Sequence, residues 1–407
     1  MSGPGPTTGG RRLGLSPAAV LFAALFAAQA AILVVSPILP QVADEFGIST
    51  SAAAQLRSVS GITAGVVALV LAVTGDRFRL GALLGTGLGI IGAGSAASAV
   101  APSFPVLLAA QAVIGLGLAM VLSGGLAASE AWAGEGQGAR VLSWALVGQP
   151  VAWVVGQPVV GLVAGADWRW AWVAVPAASS AVAMTAVALR RRTADDAGRD
   201  CDPLGLWKLP GVRRWALGEL LAFSAWTGTL VYSGVFFIEG YGVSVGVTGI
   251  ILGLVAAAYV PGNFAGRRAL SRGPGVLLVG LGLAAAAMVV VYGAVRPGTL
   301  FSVAALAVLS FLAAGRTIAG AARGLALAEG RRMAAMSVRT SMLQFGYLAG
   351  SAVGGAVFSW WGFAGMGWVF GALFLLSAIV HAPAEGVASA RDIARLLRRS
   401  PRLTPGG

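Results

Sequence analysis

Long windows almost free of charge recur along the whole chain, and no other feature of the sequence restricts its fold so strongly. A segment that crosses a bilayer needs roughly 20 mostly apolar residues, because without water every backbone N–H and C=O must be satisfied inside the segment. Such windows fall at residues 17–39, 52–74, 81–100, 104–127, 141–164 and 169–189. They return at 214–238, 244–265, 275–294, 299–320, 338–359 and 363–383. The expected fold is therefore all-α and integral to a membrane, with twelve transmembrane helices. Composition agrees, since 57% of the 407 residues are hydrophobic and only 11% are charged. The first window is too long for a signal peptide and ends in "VVSPILPQV", without a small-residue cleavage site, so it is expected to remain as a helix. Cys201 is the lone cysteine and can form no internal disulfide.

A net charge of +13 would suggest nucleic acid in a soluble chain, so the placement of the basic residues matters more than their sum. If the N-terminus is cytoplasmic, all but Arg57, Arg169, Arg296 and Arg316 fall in inner segments. Arg339 is counted there with Arg331 and Arg332. That asymmetry follows the positive-inside rule and orients both termini toward the cytoplasm, in an inner or plasma membrane. Nucleic acid is excluded as a partner; the bilayer and a small-molecule substrate remain, and a monomer is expected.

The longest polar interruption, "RRRTADDAGRDCDPLGLWKLPGVRR", divides the windows six and six. The chain reads as an N-terminal tail (1–14), a six-helix bundle (15–189), a linker (190–213), a second six-helix bundle (214–383) and a basic tail (384–407). Helices two and eight both end in short basic loops, "GDRFRLG" and "GRRALSRG", so the halves repeat in the same topology. Parallel six-helix repeats around a shared mid-membrane site are a transporter architecture.

Four stretches carry a family resemblance: "ILPQVADEFGIS" after helix one, "LVLAVTGDRFRLG" between helices two and three, "QAVIGLGLA" in helix four, and "GQPVAWVVGQPVVGLVAGADWRWAW" from helix five into six. Through them the chain resembles the Major Facilitator Superfamily, most nearly its twelve-helix drug:proton antiporters and arabinose-efflux-like permeases. The resemblance implies alternating access between two bundles, export driven by a proton gradient with no cofactor, and a gating role for Asp76, Arg77 and Arg79 in the loop after helix two. There Asp76 can hold arginines and a helix N-terminus of the neighbouring half. The bland alternative is topology alone. This loop departs from the family pattern at Ala72, Arg79 and Leu80, and in helix four Gln111 stands where the family has a buried arginine implicated in proton coupling.

In helix five, Gly156, Pro158 and Gly161 thin and bend the helix where it passes its pseudo-symmetric partner, which makes a hinge; generic small-residue packing is the alternative. "WRW" at 168–170 reads as an interfacial aromatic belt with a snorkelling Arg169. Ionisable groups inside a membrane are costly enough to suggest function, and few are present. Glu219 in helix seven and Arg316 in helix ten lie at similar depth and are expected to pair, with Glu219 the proton carrier and a structural salt bridge the alternative. Arg57 is expected nearer the interface than the cavity, and His381 reads as peripheral. Gln29, Arg57, Gln111, Trp226, Tyr232, Asn263, Gln344 and Tyr347 are the candidate substrate contacts, joined by Gln55, Gln149, Gln157 and Tyr259. Polar amides offer hydrogen bonds, and rings offer faces to an aromatic or cationic ligand. With no acid mid-membrane in helix one, neutral or weakly charged amphiphiles are favoured.

An enzyme is not expected, because one histidine, one cysteine and no clustered carboxylates assemble neither a metal site nor a catalytic triad. "GTGLGIIGAG" lies within an apolar span and is no nucleotide loop. The alternatives to an exporter are a sugar or metabolite permease of the same fold and a non-transporting membrane sensor.

Overall fold

The computed structural model describes residues 15–74, 78–133, 137–190, 203–328 and 332–382. Eleven helices there are long and apolar enough to span a membrane: α1 (Pro17–Phe46), α2 (Thr50–Leu71), α3 (Leu80–Ala99), α4 (Phe104–Ser129), α5 (Arg140–Ala164), α6 (Trp168–Ala188), α7 (Val212–Tyr241), α8 (Val245–Arg272), α9 (Pro274–Ala294), α10 (Thr299–Leu327) and α11 (Ala334–His381). Their ends follow ordinary capping chemistry. Ser16, Asp167 and Ser244 each accept a backbone N–H as N-caps of α1, α6 and α8, and Gly47 and Gly242 close α1 and α7 in the left-handed conformation.

With 48 residues α11 would reach about 72 Å as one straight helix, more than twice the hydrocarbon thickness. It reverses instead at Gly362, where φ is 60° and ψ is −157°, a conformation that an L side chain resists. Residues before the reversal run beside α7 in its own direction, Gly346 against Phe223 and Gly354 against Tyr232. Residues after it run back, Phe370 against Gly228 and His381 against Gly218. The two limbs of α11 thus supply the last two of the twelve spans.

Helix one is longer than its window, because the residues after Pro40 stay helical to Phe46 and carry Asp44 and Glu45 to the end of α1. Arg169, expected to snorkel, is tied down: it forms a salt bridge with Glu45 and donates to the carbonyls of Ala99 and Ala101, while the Trp168 indole also donates to Glu45. Residues 191–202, half of the linker, lie outside the described residues. Leu206, in its second half, is buried with Val212, Trp215, Ala334 and Val338 at the foot of α7 and α11.

The two sets of spans, α1–α6 and α7–α11, meet along three seams. Ser36 of α1 bonds the Ser233 hydroxyl (3.2 Å) and accepts the Gly234 N–H (3.0 Å). Ser58 of α2 lies 2.6 Å from Ser351 of α11, and Thr50 donates to Glu239 at 2.8 Å. At the third seam α5 crosses α8 backbone to backbone: a Cβ on Gly161 would stand 2.7 Å from the Gly249 Cα and 2.8 Å from the Val245 carbonyl oxygen. All of these contacts gather toward the end where α1 finishes and α2 begins.

Candidate functional site

A cavity lies between the halves, bounded at one edge by Ser233 of the seam just described. Its wall is mainly apolar and aromatic. Gln29 of α1 accepts the Trp153 indole N–H of α5 at 3.1 Å, and Trp226 of α7 stacks on Tyr259 of α8 with ring centroids 6.4 Å apart and planes at 24°. Tyr347 and Arg339 of α11, Thr317 and Ser310 of α10 and Gln149 of α5 add further polar groups. Arg339 is the only charged side chain among the described lining residues.

Behind that wall sits a charged cluster. Glu219 is fully buried about two turns into α7, above Trp215, whose indole is fixed by the Gly320 carbonyl at 2.9 Å. Its carboxylate meets Arg316 of α10 at 3.0 Å and Arg339 of α11 at 2.9 Å. His381, at the end of the second limb of α11, lies 4.0 Å from the same carboxylate and 3.5 Å from Arg316. Backbone and hydroxyl groups hold both cations: Arg316 donates to the Gly218 carbonyl and to Ser377, and Arg339 to the Thr317 carbonyl at 3.0 Å. Glu219 and Arg316, singled out in the sequence, are therefore brought together, and Arg339 and His381 join them. Arg339, which the sequence groups with the inner basic residues although the window at 338–359 includes it, lies in the interior because α11 begins more than a turn earlier, at Ala334. His381 is not peripheral, because the hairpin at Gly362 returns it to α7.

The substrate candidates divide. Gln29, Trp226 and Tyr347 are on the cavity wall, together with Gln149 and Tyr259. Tyr232 is not: it is buried behind the wall and donates to the Ser351 carbonyl at 3.1 Å. Gln111 turns away, toward Ser98 of α3 at 3.1 Å, and Gln157 donates to the Leu33 carbonyl. Asn263 is half-buried away from the cavity. Gln344 is wholly buried in the seam with α2, with neither amide atom hydrogen-bonded. Arg57 is not interfacial; it is 1% exposed, with its guanidinium 4.2 Å over the Tyr347 ring.

In α5, Gly161 and Pro158 face α8, where Gly253 packs on the Pro158 ring, but Gly156 faces Leu33 of α1 within its own half. Of the gating residues, Asp76 and Arg77 lie outside the described residues, and Arg79 stands exposed at the start of α3. Trp153 and Thr317 went unnoticed. Trp153 sat within the helix-five signature, and its indole N–H in an apolar window was the available signal.

A sequence profile of the Major Facilitator Superfamily matches residues 21–318. Among solved structures, the crystal structure of the human organic anion transporter MFSD10 (TETRAN) is similar, with a TM-score of 0.70 and 15% identity over 89% of this chain and 98% of that one. No curated protein matches the sequence.

Proposed function

The chain belongs to the Major Facilitator Superfamily, and from that premise we propose that it carries a small organic molecule through the central cavity by alternating access, driven by protons bound at Glu219. Secondary transport, and not enzymatic catalysis, comes with the family and fold. The observation that carries the rest is the placement of Glu219: a wholly buried carboxylate shared by two arginines, one of which faces the cavity. Whatever occupies the cavity changes the company that Glu219 keeps, and so its hold on a proton.

In its first form, implied by the helix-five signature, the cargo is an amphiphile such as a drug or antibiotic, exported by proton antiport from a plasma membrane with both termini cytoplasmic. Antiport requires proton and cargo to exclude one another. A second form, in which a permease of the same fold moves both together, is favoured by one observation: Arg339 touches both Glu219 and the cavity.

The test is flux in proteoliposomes under an imposed pH gradient, with dyes, antibiotics and pentoses as cargo, for the parent and Glu219→Gln. Loss of gradient-driven movement in Glu219→Gln, with passive exchange retained, is expected. Gradient-driven flux that survives the substitution would remove Glu219 from the mechanism. Binding without any flux would mean a sensor.

A further inference from the structure

Among the described lining residues of the cavity the one charge, on Arg339, is positive. Of the three charged side chains in the cluster, Arg316 and Glu219 are 3% and 0% exposed, whereas Arg339 keeps 16%. Only Arg339 therefore offers N–H groups to a cavity ligand. A second cation stands behind the wall. Arg57 donates to the Ser60 hydroxyl at 2.7 Å and covers the Tyr347 ring, yet its Nε and Nη2 have no hydrogen-bond partner and no described carboxylate pairs with it. Around the cavity two buried arginines, Arg57 and Arg316, and the partly exposed Arg339 are thus set against one glutamate. An uncompensated charge in such a medium is unfavourable, which an entering anion relieves and an entering cation aggravates.

We propose that the cargo is an organic anion: its oxyanion head binds Arg339, and its apolar body lies against Trp153 and the Trp226–Tyr259 stack. A guanidinium suits a carboxylate because its donors match the two oxygens in a plane. An anion at Arg339 also repels the Glu219 carboxylate beside it, so cargo and proton bind together and do not compete. This sign of coupling is that of cotransport. It rests on the reading of Glu219 given above, whereas the charge of the cargo does not. The groups that face Glu219 are Arg316 from α10, Arg339 and His381 from the two limbs of α11, and the Tyr259 hydroxyl from α8, with Arg214 and Arg323 beyond His381.

The experiment is calorimetric titration of the purified full-length protein in nanodiscs with three matched probes: naphthylacetate, naphthylacetamide and naphthylmethylamine. Each is run in two buffers of different ionisation enthalpy, which counts protons taken up. Naphthylacetate is expected to bind at least about tenfold more tightly than the other two, as for a charge-assisted hydrogen bond in a desolvated site. Arg339→Gln is expected to abolish that preference and Arg339→Lys to keep part of it, which separates loss of charge from loss of fold. Proton uptake should accompany naphthylacetate in the parent and vanish in Glu219→Gln. Equal or tighter binding of the amine or amide overturns the proposal. So does binding of none of the three, or a preference that survives Arg339→Gln. A preference for naphthylacetate without proton uptake would uphold the anion site and sink the role of Glu219.

Discussion

Arg57 and Arg316 are both buried, yet their surroundings predict opposite responses to the same change. Arg316 has a carboxylate, a carbonyl and a hydroxyl around it, whereas Arg57 has one hydroxyl and the face of a ring. Arg316→Met takes one of two cations from Glu219 and should lower unfolding stability by about 3 kcal/mol. Arg57→Met removes a charge that no described carboxylate balances and should leave stability unchanged or raise it, while weakening naphthylacetate binding. Thermal unfolding in detergent with and without the probe checks both; a Tm lowered equally by the two substitutions would contradict the assignment. The sequence made Glu219 and Arg316 legible because a charge within an apolar window stands out. Arg339 and His381 escaped because they lie at window edges, where charge is expected on topological grounds. Gln111, Tyr232 and Asn263 were misplaced for a different reason: helices apolar on every side give no sign of which face meets the cavity.

Among the elements, the α5–α8 crossing brings the halves together backbone to backbone, and side-chain volume there has a predictable effect. A leucine at residue 161 would collide with the α8 backbone at Gly249, which cannot move aside as a side chain can. Gly161→Leu should hold this seam apart and favour the arrangement in which this end of the molecule is open. Gly156→Leu meets Leu33 within the same half and should cost stability without shifting that balance. Thiol labelling of Ser233→Cys, in the seam, reads the difference: labelling should rise with Gly161→Leu and not with Gly156→Leu, and equal labelling would deny the crossing its special place. All twelve spans could be placed from their apolar windows, since length and lack of charge are what a bilayer selects, and the windows at 338–359 and 363–383 fall on the two limbs of α11. That these limbs join tightly at Gly362 was not legible, because a reversal with no polar loop carries no charge to mark it.

For the whole molecule, the contacts between the halves place the closed seam at one end and the cavity beneath it. Thr50 and Glu239 are the outermost hydrogen-bonded pair described across that seam. The double variant Thr50→Cys/Glu239→Cys, in a Cys201→Ser background, is expected to form a disulfide readily and to stop transport by at least about tenfold until a reductant is added. Cross-linked protein should still bind cargo from the far side. Undiminished flux in the oxidised protein would mean that this seam never opens. The division into two sixes was legible from one long polar stretch, but which halves touch, and where, depends on helix faces that a single sequence does not encode.

The cluster around Glu219 belongs wholly to one half. Four spans converge on it: α7, α10 and both limbs of the α11 hairpin, whose reversal at Gly362 is what delivers His381 and Ser377 to the foot of α7. On the Glu219 reading the machine is lopsided. One jaw holds the sensor and must slacken its own joints as protons come and go, while the other keeps its shape and supplies the anvil against which that movement is felt.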